Sequence, residues 1–312
     1  MEIIIQIALL IIGFIFLVKG ADMFVDGASN IAYNFKIPTL IVGLTIVAFG
    51  TSAPEAAVSI AASLGGSNAI ALGNVIGSNL FNILGIIGIC ALLGSLPVDK
   101  ELLKRDFPVV LIATLVLVVI ANLYGQLSRV IGILFLIAII VYVYLMVKKA
   151  KENPESSEVQ EAKFGMGKSV IYLIIGLIGI ILGAEFVVNS ASFLASMFGL
   201  SDTLIGLTIV AIGTSLPELV TSLTALKKGD TGIVIGNIIG SCLFNILFIL
   251  GISSAISPMP IASSLATDSI FLLIVTAIAY GFAETQDTFD RKEGLILFIL
   301  FIAYMAFVII RN

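Results

Sequence analysis

The chain has 312 residues, of which 59% are hydrophobic and 12% charged, with a formal net charge of −4. Soluble domains carry about 25% charged residues, so this composition excludes an ordinary soluble domain, and no basic run suited to nucleic acid is present. The chain has no histidine, which excludes a histidine-based zinc protease, a Ser-His hydrolase and a histidine proton relay, and its two cysteines, Cys90 and Cys242, lie in apolar segments that do not suggest a disulfide scaffold.

In chain order, ten apolar stretches are predicted as membrane-spanning helices, over residues 3–19, 38–64, 69–94, 107–123, 127–147, 169–185, 202–226, 231–255, 268–284 and 294–310. Several approach the ~20 residues that a helix needs to cross the hydrocarbon core. The first lacks a basic leader and a small-residue cleavage site, and so reads as a span rather than a signal peptide. Residues 148–168, KKAKENPESSEVQEAKFGMGK, form a charged, solvated linker containing Pro154. It separates a first transmembrane repeat, 1–147, from a second, 169–312.

The second span carries IVGLTIVAFGTSAPE at 41–55, and the seventh carries LIGLTIVAIGTSLPE at 204–218, offset by 163 residues. The third span carries GNVIGSNLFNIL at 73–84, which returns in the eighth as GNIIGSCLFNIL at 236–247. Gly20-Ala21-Asp22 in the first half matches Gly183-Ala184-Glu185 at the same offset. Each half has five predicted spans, an odd number, so the second copy must enter the membrane upside down. Inverted repeats of this kind typify secondary transporters, with the site near the midplane where the repeats meet. The loops support the count: fourteen of the 16 basic residues fall on one side, and only Arg129 and Arg311 fall on the other. By the positive-inside rule, both termini face out and the linker is cytoplasmic. The expected location is the cell membrane.

The chemistry is concentrated in the duplicated blocks. Glu55 and Glu218 stand in long apolar runs, where insertion of a charge costs roughly 2.5–3.5 kcal/mol. Thr51, Ser52 and Glu55 stand at i, i+1 and i+4 and share one helical face. Pro54 has no N–H for the carbonyl four residues back, at Gly50, so a kink with freed backbone oxygens is expected beside them. Thr214, Ser215, Glu218 and Pro217 rebuild the set. The partner helices add Ser78 with Asn82, and Ser241 with Asn245. The pairs Gly73/Gly77 and Gly236/Gly240 are expected to let helix backbones approach closely. Asn74 and Asn237 are either helix ties or ion ligands. Two carboxylates with hydroxyls, amides and carbonyls make an all-oxygen set suited to Ca²⁺ or Na⁺ rather than to zinc or copper. Two carboxylates neutralise one divalent cation.

GTSAPE and GTSLPE, each followed by GNxxGSxxFN, resemble the paired alpha repeats of the calcium/cation antiporter superfamily, most nearly those of the sodium/calcium exchangers and their prokaryotic relatives. The resemblance covers essentially the whole chain. It implies an all-α integral membrane fold of ten transmembrane helices in two inverted five-helix repeats with broken ion-site helices. It also implies electrogenic exchange of Na⁺ for Ca²⁺ by alternating access, without a cofactor. On the family pattern Glu55 and Glu218 bridge the central ions, and the hydroxyls are those of Thr51, Ser52, Ser78, Thr214, Ser215 and Ser241. The backbone oxygens of Ala48 and Ala211 also contribute. Potassium-dependent exchangers tend to carry an acid where this chain has Asn245, so the resemblance argues against K⁺ co-transport. The alternative is a Ca²⁺/H⁺ antiporter on the same glutamate site. A channel would need more polar helix faces, and an intramembrane aspartyl protease would need two aspartates at mid-depth. Both half-sites lie in one chain, so a monomer suffices and no obligate protein partner is expected.

Overall fold

The computed structural model describes residues 2–152, 162–199 and 211–311. Apart from four two-residue strands, its regular structure is helical. Helix α1 spans Glu2–Phe35. A broken pair follows, α2 over Thr39–Thr51 and α3 over Ala53–Leu64, bent by 48°. Helix α4 covers Asn68–Leu93, α5 Leu102–Tyr124, α6 Arg129–Glu152 and α7 Met166–Met197. A turn at Ala211–Gly213 leads to α8, Leu216–Lys227. Helices α9, Thr231–Ile256, α10, Ser263–Gln286, and α11, Arg291–Arg311, complete the chain. Among the described residues, eight helices are long and apolar enough to cross a membrane, or nine with α2 and α3 counted as one span. The predicted span 202–226 begins outside the described residues.

The predicted spans 3–19 and 169–185 stop short of the helices that contain them. Hydropathy falls where Lys19, Asp22 and Asp26 appear, yet nothing breaks the hydrogen-bond ladder there. Helix α1 runs on until Lys36, whose φ of 54° ends it just before Pro38. With 34 residues, α1 is about 51 Å long at 1.5 Å per residue. The C-terminal half of α1 is buried through Ala21, Phe24, Val25 and Ala28.

Helices α1 and α7 run antiparallel with their backbones in contact. A Cβ added to Gly20 would lie 2.7 Å from the Ile180 nitrogen, and one added to Gly183 would lie 2.6 Å from the Leu17 nitrogen. Only glycine allows so close an approach. The core is formed by α4 and α9. In their most apolar windows 83% and 94% of residues are buried, against 17% in α1 and α11, so the other helices wrap these two. Gly236 and Gly240 seat α9 against α2, where added Cβ atoms would lie 2.6 Å from the Leu40 carbonyl oxygen and 2.7 Å from that of Leu44. The matching partners of Gly73 and Gly77, residues 203–211 by the offset, lie almost wholly outside the described residues.

The strands stitch the halves together. Strand β1, Leu96–Pro97, pairs antiparallel with β4, Thr288–Phe289, and β2, Gln126–Leu127, pairs with β3, Met259–Pro260. In each pair one strand comes from the first half and one from the second.

Candidate functional site

The broken helices place the acids. Ser52 sits at the bend with φ −82° and ψ 8°, and Pro54 follows in the first turn of α3. Ser215 has φ −93° and ψ 9°, and Pro217 follows in the first turn of α8. A proline tolerated at a helix start thus begins a new helix in both halves. Glu55 and Glu218 each lie in the first turn of that helix, where the positive end of the macrodipole favours negative charge. Their side chains are 0% and 1% exposed.

The hydrogen bonds at these carboxylates cross between the halves. Ser52 Oγ donates to Glu218 Oε1 at 2.8 Å, and Ser215 Oγ donates to Glu55 Oε1 at 2.9 Å. Ser215 Oγ also lies 3.1 Å from Ser78 Oγ. Neither glutamate forms an ion pair among the described residues. The second carboxylate oxygen of each, Glu55 Oε2 and Glu218 Oε2, is buried without a hydrogen-bond partner. Ser241 Oγ, Asn245 Oδ1 and both amide atoms of Asn82 are in the same condition. Such atoms are rare in a folded protein. Among the described residues six of the thirteen lie on the helix starts of α3 and α8 and the adjoining stretches of α4 and α9, while the rest, such as Ser63, Ser190 and Ser253, are scattered.

Asn82 and Asn245 each occupy the second position of a π-helical segment, Phe81–Ile86 in α4 and Phe244–Ile249 in α9. Such turns occur often at functional sites. Nothing in the sequence signals them, because one extra residue per turn leaves no trace in a stretch that is apolar all round.

The remaining predicted residues are placed as follows. The Thr51 hydroxyl is 2.9 Å from Asn237 Oδ1 and 3.1 Å from the Val47 carbonyl, either of which can take its single proton. The Ala48 carbonyl accepts the Ser52 amide at 3.1 Å. Thr214 adjoins Ser215 in the turn before α8, and Ala211 opens the helical turn Ala211–Gly213. Asn74 and Asn237 act as helix ties. Asn74 Nδ2 donates to the Glu55 carbonyl and to Ser59 Oγ, at 3.2 and 2.9 Å. Asn237 Nδ2 donates to the Glu218 carbonyl and to Ser222 Oγ, at 3.2 and 3.0 Å. The sequence reading missed Ser59 and Ser222, although each stands four residues beyond a glutamate, on the same helix face. It also missed Asn79, which bonds to Asn245.

The arrangement offers two carboxylates and a set of neutral oxygens in a buried place with no basic side chain paired to them. Its oxygens suit a hard cation.

Comparison with known proteins agrees with this chemistry. The family model described as "Sodium/calcium exchanger protein" matches residues 5–148 and 168–310. The chain is 38% identical to the putative antiporter CaxA of Alkalimonas amylolytica, over 94% of this chain and 95% of that protein. It is 33% identical to the sodium/calcium exchanger MaX1 of Methanosarcina acetivorans, over 95% of this chain and 96% of that protein. Among solved structures it resembles the sodium-calcium exchanger NCX_Mj soaked with Na⁺ and Sr²⁺. The TM-score is 0.87 at 34% identity, covering 97% of this chain and 98% of that one.

Proposed function

The chain belongs to the sodium/calcium exchanger family, and from that premise we propose that it exchanges Na⁺ for Ca²⁺ across the cell membrane, electrogenically and by alternating access. It is a cation antiporter of the multi-pass type and not an enzyme. The observation that carries the proposal is the crossed pair of bonds, Ser52 to Glu218 and Ser215 to Glu55, each leaving one carboxylate oxygen free of protein partners. One Ca²⁺ between two such carboxylates is neutralised. Glu55 and Glu218 bridge the ions. Thr51, Ser52, Ser78, Thr214, Ser215 and Ser241 supply hydroxyls, Asn82 and Asn245 supply amide oxygens, and Ala48 and Ala211 supply backbone oxygens.

Ten spans in two inverted repeats, 1–147 and 169–312, are part of the same proposal, and the contacts support the count by parity. Asn30 Oδ1 accepts the amide of Lys163, Ser29 donates to Asp230, and Lys228 pairs with Asp26 at 2.9 Å. These groups lie together with Pro97 and Asp99 around one polar cavity, which the proposal puts at one face of the membrane. On this reading the chain crosses an even number of times between Lys163 and Lys228: helix α7 is one crossing, and the predicted span 202–226, which begins outside the described residues, is taken as the second. The pairing of β1 with β4 and of β2 with β3 fits the same assignment, with the linker inside and both termini outside.

The test is uptake of ⁴⁵Ca²⁺ into proteoliposomes loaded with Na⁺ and diluted into Na⁺-free buffer, with a parallel arm that has a pH gradient and no Na⁺ gradient. Uptake should follow the Na⁺ gradient and respond to membrane potential. Glu55→Gln and Glu218→Gln should each abolish it, while Lys227→Gln, at the end of α8, should leave it unchanged. Uptake driven by the pH gradient alone would make the protein a Ca²⁺/H⁺ antiporter on the same site.

A further inference from the structure

Asn79 lies in α4, three residues before Asn82, and is 1% exposed. Its Nδ2 donates to the main-chain carbonyl of Cys242 in α9 at 3.3 Å. A carbonyl can only accept, so this bond decides which way the Asn79 amide is turned, and its Oδ1 must point elsewhere. That oxygen accepts the Nδ2 of Asn245 at 3.0 Å. The orientation of Asn245 follows in its turn. Its nitrogen is committed to Asn79, and its Oδ1 remains a buried acceptor with no protein partner.

The first half lacks this relay. The 163-residue offset puts Cys242 where Asn79 stands, and a thiol is a poor hydrogen-bonding group. Correspondingly, neither the Nδ2 nor the Oδ1 of Asn82 has a hydrogen-bond partner. Two amides that the sequence makes equivalent are thus held differently, one by a second amide and one beside a thiol.

We infer that Asn79 is a positioning residue that presents the carbonyl oxygen of Asn245, rather than its amine, to the transported cation. The inference rests on the proposed cation site. A hard cation is bound by oxygen, and an amide turned the wrong way would face it with two N–H groups instead. Fixing the amide beforehand removes the need to order it when the ion arrives. The second half then contributes a pre-set ligand.

The test is the Ca²⁺ dependence of Na⁺-driven uptake in proteoliposomes for Asn79→Cys, for Asn79→Ala, and for the swap Asn79→Cys with Cys242→Asn. Cysteine is apt because the chain already accommodates it at the equivalent position. Both single variants should raise the KM for Ca²⁺ about three- to tenfold, the scale of one lost hydrogen bond, with kcat within about twofold of the unsubstituted protein. The swap moves the relay to Asn82 and should return KM to near the original value, which loss of packing at position 79 would not do. An unchanged KM in the single variants, or a KM that stays raised in the swap, overturns the inference while leaving the exchanger intact. Absence of Ca²⁺ transport by the unsubstituted protein in the same vesicles would overturn the cation site itself, and the inference with it.

Discussion

At the level of single residues, each buried glutamate depends on a serine from the opposite half, Ser215 for Glu55 and Ser52 for Glu218. Removing either hydroxyl leaves a buried carboxylate with one fewer donor, and hydrogen bonds to charged groups contribute about 1.5–3 kcal/mol. Ser52→Ala and Ser215→Ala should therefore raise the KM for Ca²⁺ by similar factors, about tenfold or more, as read from initial uptake rates. A large effect in one and none in the other would contradict the crossed arrangement. The glutamates and their hydroxyls were legible in the sequence, because a charge in an apolar run demands an explanation and the repetition supplied one. The crossing was not legible. An offset of 163 residues reveals which positions are equivalent, and equivalence does not say which side chains touch. For the same reason Asn79 went unseen: its counterpart, Cys242, hides the repeat at that position.

At the level of elements, the bend between α2 and α3 was legible from Pro54, and the structure puts it at Ser52 with an angle of 48°. The lengths of α1 and α7 were not. A hydropathy window registers where polar side chains begin, whereas a helix ends where its hydrogen-bond ladder breaks. The polar residues of the C-terminal half of α1 sit on a helix whose small residues still face neighbouring backbones. Gly27 shows how tightly, since an added Cβ would lie 2.5 Å from the Leu173 nitrogen. Gly20→Val should accordingly force α1 and α7 apart and lower the melting temperature in detergent by several degrees or more, on the scale of 1–3 kcal/mol for overpacking. Gly167→Ala, where an added Cβ meets nothing within 4 Å, should not lower it, since alanine favours a helix over glycine. Thermal unfolding of the two variants side by side checks this.

At the level of the whole molecule, the halves are joined rather than merely adjacent. Two strand pairs link them, α1 lies along α7, and a serine of each half bonds the glutamate of the other. Duplication leads to the expectation that the two halves meet, and the Ser52–Glu218 and Ser215–Glu55 bonds join them. One shared site follows from this arrangement, in place of two independent ones, and equilibrium binding of ⁴⁵Ca²⁺ to the purified protein tests it most directly. The account predicts one Ca²⁺ per chain, displaced by Na⁺, with binding lost in Glu55→Gln and lost equally in Glu218→Gln. Two Ca²⁺ per chain, with each glutamate variant retaining one, would contradict it.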